Sequence, residues 1–446
     1  MKTPICDFVN EYNRKGTLRL HMPGHKGESI LGCEGYDITE IDGADVLYSS
    51  SGIIRESEEN AASLFGTERT LYSTEGSSLS IRAMLYLALL YAKRQGRAAT
   101  VLAARNAHKS FVCACAMLDI SPVWMYPEKS EGLTSCRLDR DSVERCLQMC
   151  HETPCAVYIT SPDYLGDIAD IGGIGEVCRK YGVLLLVDNA HGAYLKFMPC
   201  DIHPITLGAD MCCDSAHKTL PVLTGGGYLH ISSSAPSYLC DAAESAMAMF
   251  ASTSPSYLIL QSLDAANKYI ADGYRERLAD FCKKADELKQ MLCAVGYTLI
   301  GDEAQKITIC AKSYGYTGDE IAQHLRMGGI ECEFADRDYT VLMLTPSSEG
   351  AVFRIYDMLS ALPKRAEITE PMPSLPRGCS SVSIREAMLS PSREVPVRDA
   401  VGHILATPSV SCPPAVCVLV CGEVIYEDAV RAFEYYGIDR CRVVDR

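Results

Sequence analysis

The sequence is poor in positive charge: 42 Lys and Arg stand against 57 Asp and Glu, a formal net charge of −15. Nucleic acid and anionic membrane surfaces reward the opposite balance, so neither is an expected partner. Long apolar runs are missing as well, and without a stretch of about 18 apolar residues no membrane-spanning helix is expected. The first residues, Met1 to Phe8, lack the apolar core of a secretory signal, which makes the cytoplasm the expected compartment. Cysteine itself is plentiful, at 22, but zinc-site spacing is absent. Cys113-Ala114-Cys115, Cys212-Cys213, and Cys412 with Cys417 and Cys421 form no paired C-x₂-C motif, so no metal is expected. The cysteines read as reduced, small apolar side chains.

What is present is a chain of 446 residues, longer than one hydrophobic core usually serves, with 48% hydrophobic residues. Residues 1–55 read as a short helix followed by loops rich in glycine and charge. Across 56–256 helical and strand-like stretches alternate: helices at 79–92, 108–118 and 174–181, strands at 99–103, 123–126, 156–160 and 184–188. Alternation of this kind implies a mainly parallel sheet with right-handed crossovers. Residues 257–294 read as a long helical segment broken near Gly273. It leads into a small α+β domain extending to 370, with strands at 297–301, 306–311, 330–335 and 340–344 and helices at 317–327 and 349–362. The proline-rich stretch 371–376 reads as a linker into a terminal segment, 371–446, with helices near 383–388 and 427–436 and a strand at 415–420.

Two short polar clusters, each directly after an apolar run, carry the most information. One is Asp188-Asn189-Ala190-His191-Gly192; the other is Ser215-Ala216-His217-Lys218. In a doubly wound α/β sheet the strands are buried, and chemistry is displayed at their carboxyl ends. A lysine at one such end and an aspartate at its neighbour suit pyridoxal 5'-phosphate (PLP): the lysine forms the Schiff base and the aspartate keeps the pyridine nitrogen protonated. Lys218 could instead be an ordinary surface lysine, Asp188 a helix cap, and His191 a satisfied core histidine. Thr74-Glu75-Gly76-Ser77-Ser78 precedes an apolar helix, so backbone N–H groups and hydroxyls converge there as a phosphate cradle or as a plain serine cap. His108 follows another strand, where it could stack on a planar ring or cap a helix.

Together these segments resemble the Orn/Lys/Arg decarboxylase family of PLP enzymes with the aspartate-aminotransferase fold, in particular its short arginine/lysine-decarboxylase-like branch. The likeness runs from His21-Met22-Pro23-Gly24-His25 through Asn106-Ala107-His108-Lys109-Ser110, Val187-Asp188, Ser215 to Lys218 and Ser252 to Tyr257, and on to Val395-Pro396-Val397-Arg398-Asp399. The resemblance implies a PLP-binding large domain (56–256), a connector and small domain (257–370) and a decarboxylase-like C-terminal domain (371–446). It implies Lys218, Asp188 and His191 as catalytic residues. Gly76, Ser77, Ser78, Ser215 and His217 would hold the phosphate, and His108 would stack on the ring. The implied reaction turns arginine, lysine or ornithine into a polyamine-type amine and CO₂, in a homodimer or higher homo-oligomer. Three departures stand near the implied site: Glu75 where the branch has asparagine, Asn189 where it has glutamate, and Leu223 to Gly227 where it has a polar run. In the terminal domain, 412–415 lacks the expected tyrosine and glycine. Other PLP chemistry on an amino acid, or a non-catalytic homologue, would fit the same lysine and aspartate. Asp42 and Asp45 stand as candidates for the distal cation of a basic substrate, or as turn residues.

Overall fold

The computed structural model describes residues 1–127, 132–410 and 415–445; the departure at Cys412, Pro413 and Pro414 lies outside the described residues. In chain order the first part comprises α1 (Pro4–Arg14), α2 (Ile53–Phe65), β1 (Arg69–Ser73), α3 (Gly76–Gln95), β2 (Thr100–Ala104), α4 (Lys109–Leu118), β3 (Ser121–Met125) and α5 (Arg140–Met149). It continues with β4 (Ala156–Thr160), α6 (Ile171–Tyr181), β5 (Leu184–Asp188), α7 (Pro204–Leu207), β6 (Met211–Asp214), α8 (Ala216–Thr219), β7 (Gly227–Ile231), α9 (Ser237–Ala248), α10 (Tyr257–Ala271) and α11 (Tyr274–Ala294). Strands β1 to β7 form one mainly parallel sheet in the order β1-β7-β6-β5-β4-β2-β3. The reversed strand is β7, which runs antiparallel to both β1 and β6. The α/β expectation therefore holds.

The chain divides into two compact units. The first comprises Met1–Ala98, Glu152–Tyr158 and Ile171–Glu276. Its β5 is buried along its whole length, as the unbroken run Leu184 to Val187 requires of a strand covered on both faces. Helix α1 turns Ile5 and Val9 inward. Its first turn is tied to α10 by Asp264, whose carboxylate accepts the N–H groups of Ile5 and Cys6 at 3.0 Å each. Between α1 and α2 the chain has no regular element, as the glycine- and charge-rich sequence implies.

The second unit comprises Ala99–His151, Ile159–Asp170 and Arg277–Arg446. Beyond α11 it holds β8 (Leu299–Ile300), β9 (Lys306–Cys310), α12 (Gly318–Met327), β10 (Phe334–Ala335), β11 (Tyr339–Met343) and α13 (Val352–Ser360). A four-stranded antiparallel sheet, β10-β11-β9-β8, covers a core that includes Leu288, Ile307, Ile321, Leu342 and Ile355. Then follow α14 (Ile384–Leu389), β12 (Ser392–Pro396), β13 (Ser409–Val410), β14 (Cys417–Leu419), α15 (Glu427–Tyr435) and β15 (Arg440–Val444), with Val418, Ile425 and Phe433 among the residues of a separate core. The expected break in the long helical segment falls at Gly273, whose φ of +79° is accessible to glycine at little cost. Several expected elements are shorter than read: the strands expected at 297–301 and 415–420 span only 299–300 and 417–419. The strand expected at 330–335 is paired only at 334–335, and the helix expected from 349 begins as a 3₁₀ turn behind Pro346 before α13.

Candidate active site

Strands β5 and β6 lie side by side in parallel register, Asp188 opposite Cys213, so the two polar clusters emerge at adjacent strand ends. Asp188 is 2% exposed. A buried carboxylate needs donors, and Asp188 has them: Tyr158 OH donates at 3.1 Å, the Ala190 N–H at 3.3 Å and the Cys213 thiol at 3.5 Å. No helix begins there; the bond to Ala190 makes a local turn, so the helix-cap alternative for Asp188 does not describe it. The same turn places His191, itself buried, with Nε2 at 3.0 Å from Lys218 Nζ. Lys218 sits on the four-residue helix α8, in the connection between β6 and β7. It is half-buried and engaged by an imidazole, unlike an ordinary surface lysine.

The cradle faces the same connection. Gly76 opens α3 with φ +66°, and Ser215 donates from its hydroxyl to the Ser77 hydroxyl at 2.9 Å. Ser78 follows on the first turn of α3, where the helix N-terminus favours an anion. Gly76 contributes its turn rather than a donor, because its own N–H is given to Gly225 O at 2.6 Å. His217 donates to the next carbonyl, Gly226 O, from its backbone N–H at 3.2 Å and from Nδ1 at 2.9 Å. The glycine run is thus what lets the lysine turn and the cradle touch. A Cβ at Gly225 would lie 2.9 Å from Thr74 O, and one at Gly227 would lie 2.8 Å from Asp214 O and 3.2 Å from the Gly76 carbonyl carbon. Glu75, whose charge would oppose an anion, accepts the Ser252 N–H at 2.7 Å.

Three further expected residues have local roles. His108 belongs to the second unit, where it caps α4 by accepting the Ser110 N–H on Nδ1 at 3.1 Å. Asp45 is a turn residue. With φ +70°, it accepts the N–H groups of Val46, Ser51, Gly52 and Ile54 at 2.8–3.1 Å. Burial works against its charge, but these bonds prevail and hold the carboxyl below its usual range. Asp42 is exposed. Sequence reasoning missed Tyr158 and a buried group formed by Asp214, His203 and His230, whose ligand-capable atoms lie within 4.8 Å of one another. Their segments are separate in the chain, and no spacing motif links them.

The arrangement offers a nucleophilic amine beside an imidazole, a buried carboxylate on the adjacent strand end, and hydroxyls at a helix N-terminus suited to phosphate. Comparison with known proteins bears on the family and the fold. Residues 3–313 match the family model described as Orn/Lys/Arg decarboxylase, major domain. An arginine decarboxylase of Bacillus subtilis is 27% identical over 466 residues, covering 96% of this chain and 92% of the relative. The crystal structure of the Francisella novicida lysine decarboxylase LdcF superposes with a TM-score of 0.77 at 16% identity, covering 99% of this chain and 81% of the other. A solved structure of SPT with PLP gives 0.55 at 15% identity, covering 71% of this chain and 79% of that one. At these identities the two structures speak for the fold.

Proposed function

The chain belongs to the Orn/Lys/Arg decarboxylase family, and from that premise we propose that it removes the α-carboxylate of arginine, lysine or ornithine as CO₂ and releases the amine, with PLP as cofactor. The observation that carries the reading is Lys218 Nζ held 3.0 Å from His191 Nε2, one strand end away from the buried Asp188 carboxylate. The residues present fit the cofactor. Lys218 would bind its aldehyde, Asp188 would hold a proton on its ring nitrogen, and Ser77, Ser78, Ser215 and His217 would hold its phosphate, with Gly76 shaping the turn. His191 would orient the bound substrate and exchange a proton with Nζ of Lys218 once the lysine is displaced. Bound PLP supplies an electron sink for the pair left when CO₂ departs.

A homo-oligomer in the cytoplasm is part of this reading. The homo-oligomer is supported by the large apolar side chains that the segment between α1 and α2 leaves open, Leu18, Leu20, Ile30 and Leu31, each at least 77% exposed. No helix among the described residues is long and apolar enough to cross a membrane. The four-segment division, with PLP held by 56–256, belongs to the same proposal.

The test is product analysis. Purified protein with PLP is given arginine, lysine and ornithine separately, beside a Lys218→Ala control, and products are identified by mass spectrometry. An amine formed only by the parent protein supports decarboxylation and names the substrate. A keto acid would move the reading to transamination, and no product from any of the three would move it to a non-catalytic homologue.

A further inference from the structure

Asp214 is the last residue of β6 and lies four positions before Lys218. Its carboxylate is completely buried, as are the imidazoles of His203 and His230. Three side chains from three segments converge on it. Asn189, next in the chain to Asp188, donates from Nδ2 to Oδ1 at 2.6 Å; His203 Nε2 lies 3.2 Å and His230 Nε2 3.3 Å from Oδ2. The group could hold a metal by its donor set, but the His203 tautomer speaks for protons. Its Nδ1 accepts the Ile205 N–H, so Nε2 carries the hydrogen and donates to Asp214, whereas a metal-bound imidazole donates from its other nitrogen. Burial opposes the Asp214 charge, yet the imidazoles outweigh it and keep the carboxyl below its usual range.

The Asn189 amide shows which bond dominates. It is turned so that Nδ2 meets Asp214 while its buried Oδ1 has no hydrogen-bond partner, an orientation that sacrifices the acceptor to keep the donor. Gly192 is shaped around it, since a Cβ there would fall 2.0 Å from that oxygen. A backbone bond runs alongside, from Asn189 N–H to Cys213 O at 3.0 Å. A buried charge is a poor way to gain stability and a good way to fix geometry when hydrogen-bond donors meet it, as Asn189 and His203 do here.

We propose that Asp214 is a positioning residue, its carboxylate tying the strand end that carries Asp188 to the turn that carries Lys218 through Asn189, while His203 and His230 flank its other oxygen. The inference rests on the functional reading above, because it assigns the tie a purpose at the PLP site.

The test uses the full-length chain and the variants Asn189→Ala, Asp214→Asn and the double variant Asn189→Asp/Asp214→Asn. Three readouts are compared: PLP dissociation constant, the pH midpoint of the visible absorbance of bound PLP, and hydrogen exchange of the cofactor-free protein at 188–193 and 216–219. Asn189→Ala leaves both imidazole contacts with Asp214 and so keeps the test open if Asp214→Asn fails to fold. Each single variant is expected to weaken PLP binding about tenfold, the loss of one charge-assisted hydrogen bond. It should also move the absorbance midpoint and speed exchange at both segments while leaving α1 and α10 unchanged. The double variant, which restores one carboxylate and one amide, should return the affinity to within about threefold of the parent. Parent-like affinity, midpoint and local exchange in Asn189→Ala would overturn the proposal, even with a lowered Tm. So would a stoichiometric divalent metal retained by the parent and lost in His203→Asn. A parent that binds no PLP would overturn the functional reading instead, and the exchange data from cofactor-free protein would still decide the tie.

Discussion

Replacing Gly227 by alanine adds one carbon where two functional segments meet. Gly227 does not use the left-handed region, so alanine is conformationally acceptable and the effect is steric. The new Cβ would lie 2.8 Å from Asp214 O, 3.2 Å from the Gly76 carbonyl carbon and 3.4 Å from Ser77 N. All three neighbours are backbone and none can rotate away. Ordinary contact requires β7 to retreat by about 0.6 Å from the Asp214 carbonyl at the end of β6 and by about 0.2 Å from the cradle. Overpacking of this size costs about 1–3 kcal/mol in stability. A displacement of that size at a cofactor site should cost on the order of tenfold in rate, given that about 1 Å can cost a hundredfold. PLP binding followed by fluorescence quenching, steady-state amine release and thermal unfolding measure the three effects together. Gly172→Ala in α6 is the control: nothing lies within 4 Å of its Cβ, and a helical alanine should stabilise by about 0.4–1 kcal/mol. If Gly227→Ala bound PLP and turned over like the parent, the close approach of cradle and lysine turn would not matter and the reasoning would fail.

Three further outcomes follow from other residues. Asp188→Asn should still bind PLP but lose rate on the order of 100-fold, because an amide cannot hold a proton on the ring nitrogen as a carboxylate does; parent-like turnover would remove Asp188 from its assigned role. Asp45→Asn should lower stability by about 1–2 kcal/mol, since an amide oxygen cannot replace both carboxylate oxygens, while leaving the preference among basic amino acids unchanged. A switch in that preference, measured by competition, would reinstate Asp45 as a recognition residue. Burial raises the Glu58 carboxyl from 4.5 to about 8, with the Tyr72 N–H and Arg69 opposing it only in part. The folded chain then holds a proton that the unfolded chain releases, so this group lowers stability as pH rises from about 4.5 to about 8. The Tm of Glu58→Gln relative to the parent should therefore climb across that window and level off above it, and a difference that is constant at pH 5, 7 and 9 would refute the assignment.

Much of the site could be read from the sequence because its signals are local. An apolar run ending in Asp188, a second ending near Ser215 to Lys218, and glycine and serines ahead of an apolar helix are each contained within a dozen residues. Their mutual placement follows from parallel pairing of β5 and β6. What could not be read depends on contacts between distant segments. The run Gly225 to Gly227 looks like lost polarity until the carbonyls opposite it are known. Asn189 looks like a lost charge until Asp214 is found facing it, where a second carboxylate would meet the first. Asp45 and Asp42 were indistinguishable as loop aspartates, and only the ring of N–H groups around Asp45 separates them. Among the elements, β1 was not anticipated, because Thr70 and Ser73 are buried beside Leu71 and Tyr72 and leave no apolar alternation to read.

The proposed function stands on Lys218 as the lysine that binds PLP. Borohydride reduction of the PLP-loaded protein, followed by proteolysis and mass spectrometry of the labelled peptide, tests it most directly. One phosphopyridoxyl group per chain is expected, on Lys218 and absent from Lys218→Ala. Label on a different lysine, or protein that carries PLP yet yields no reduced adduct, would contradict it.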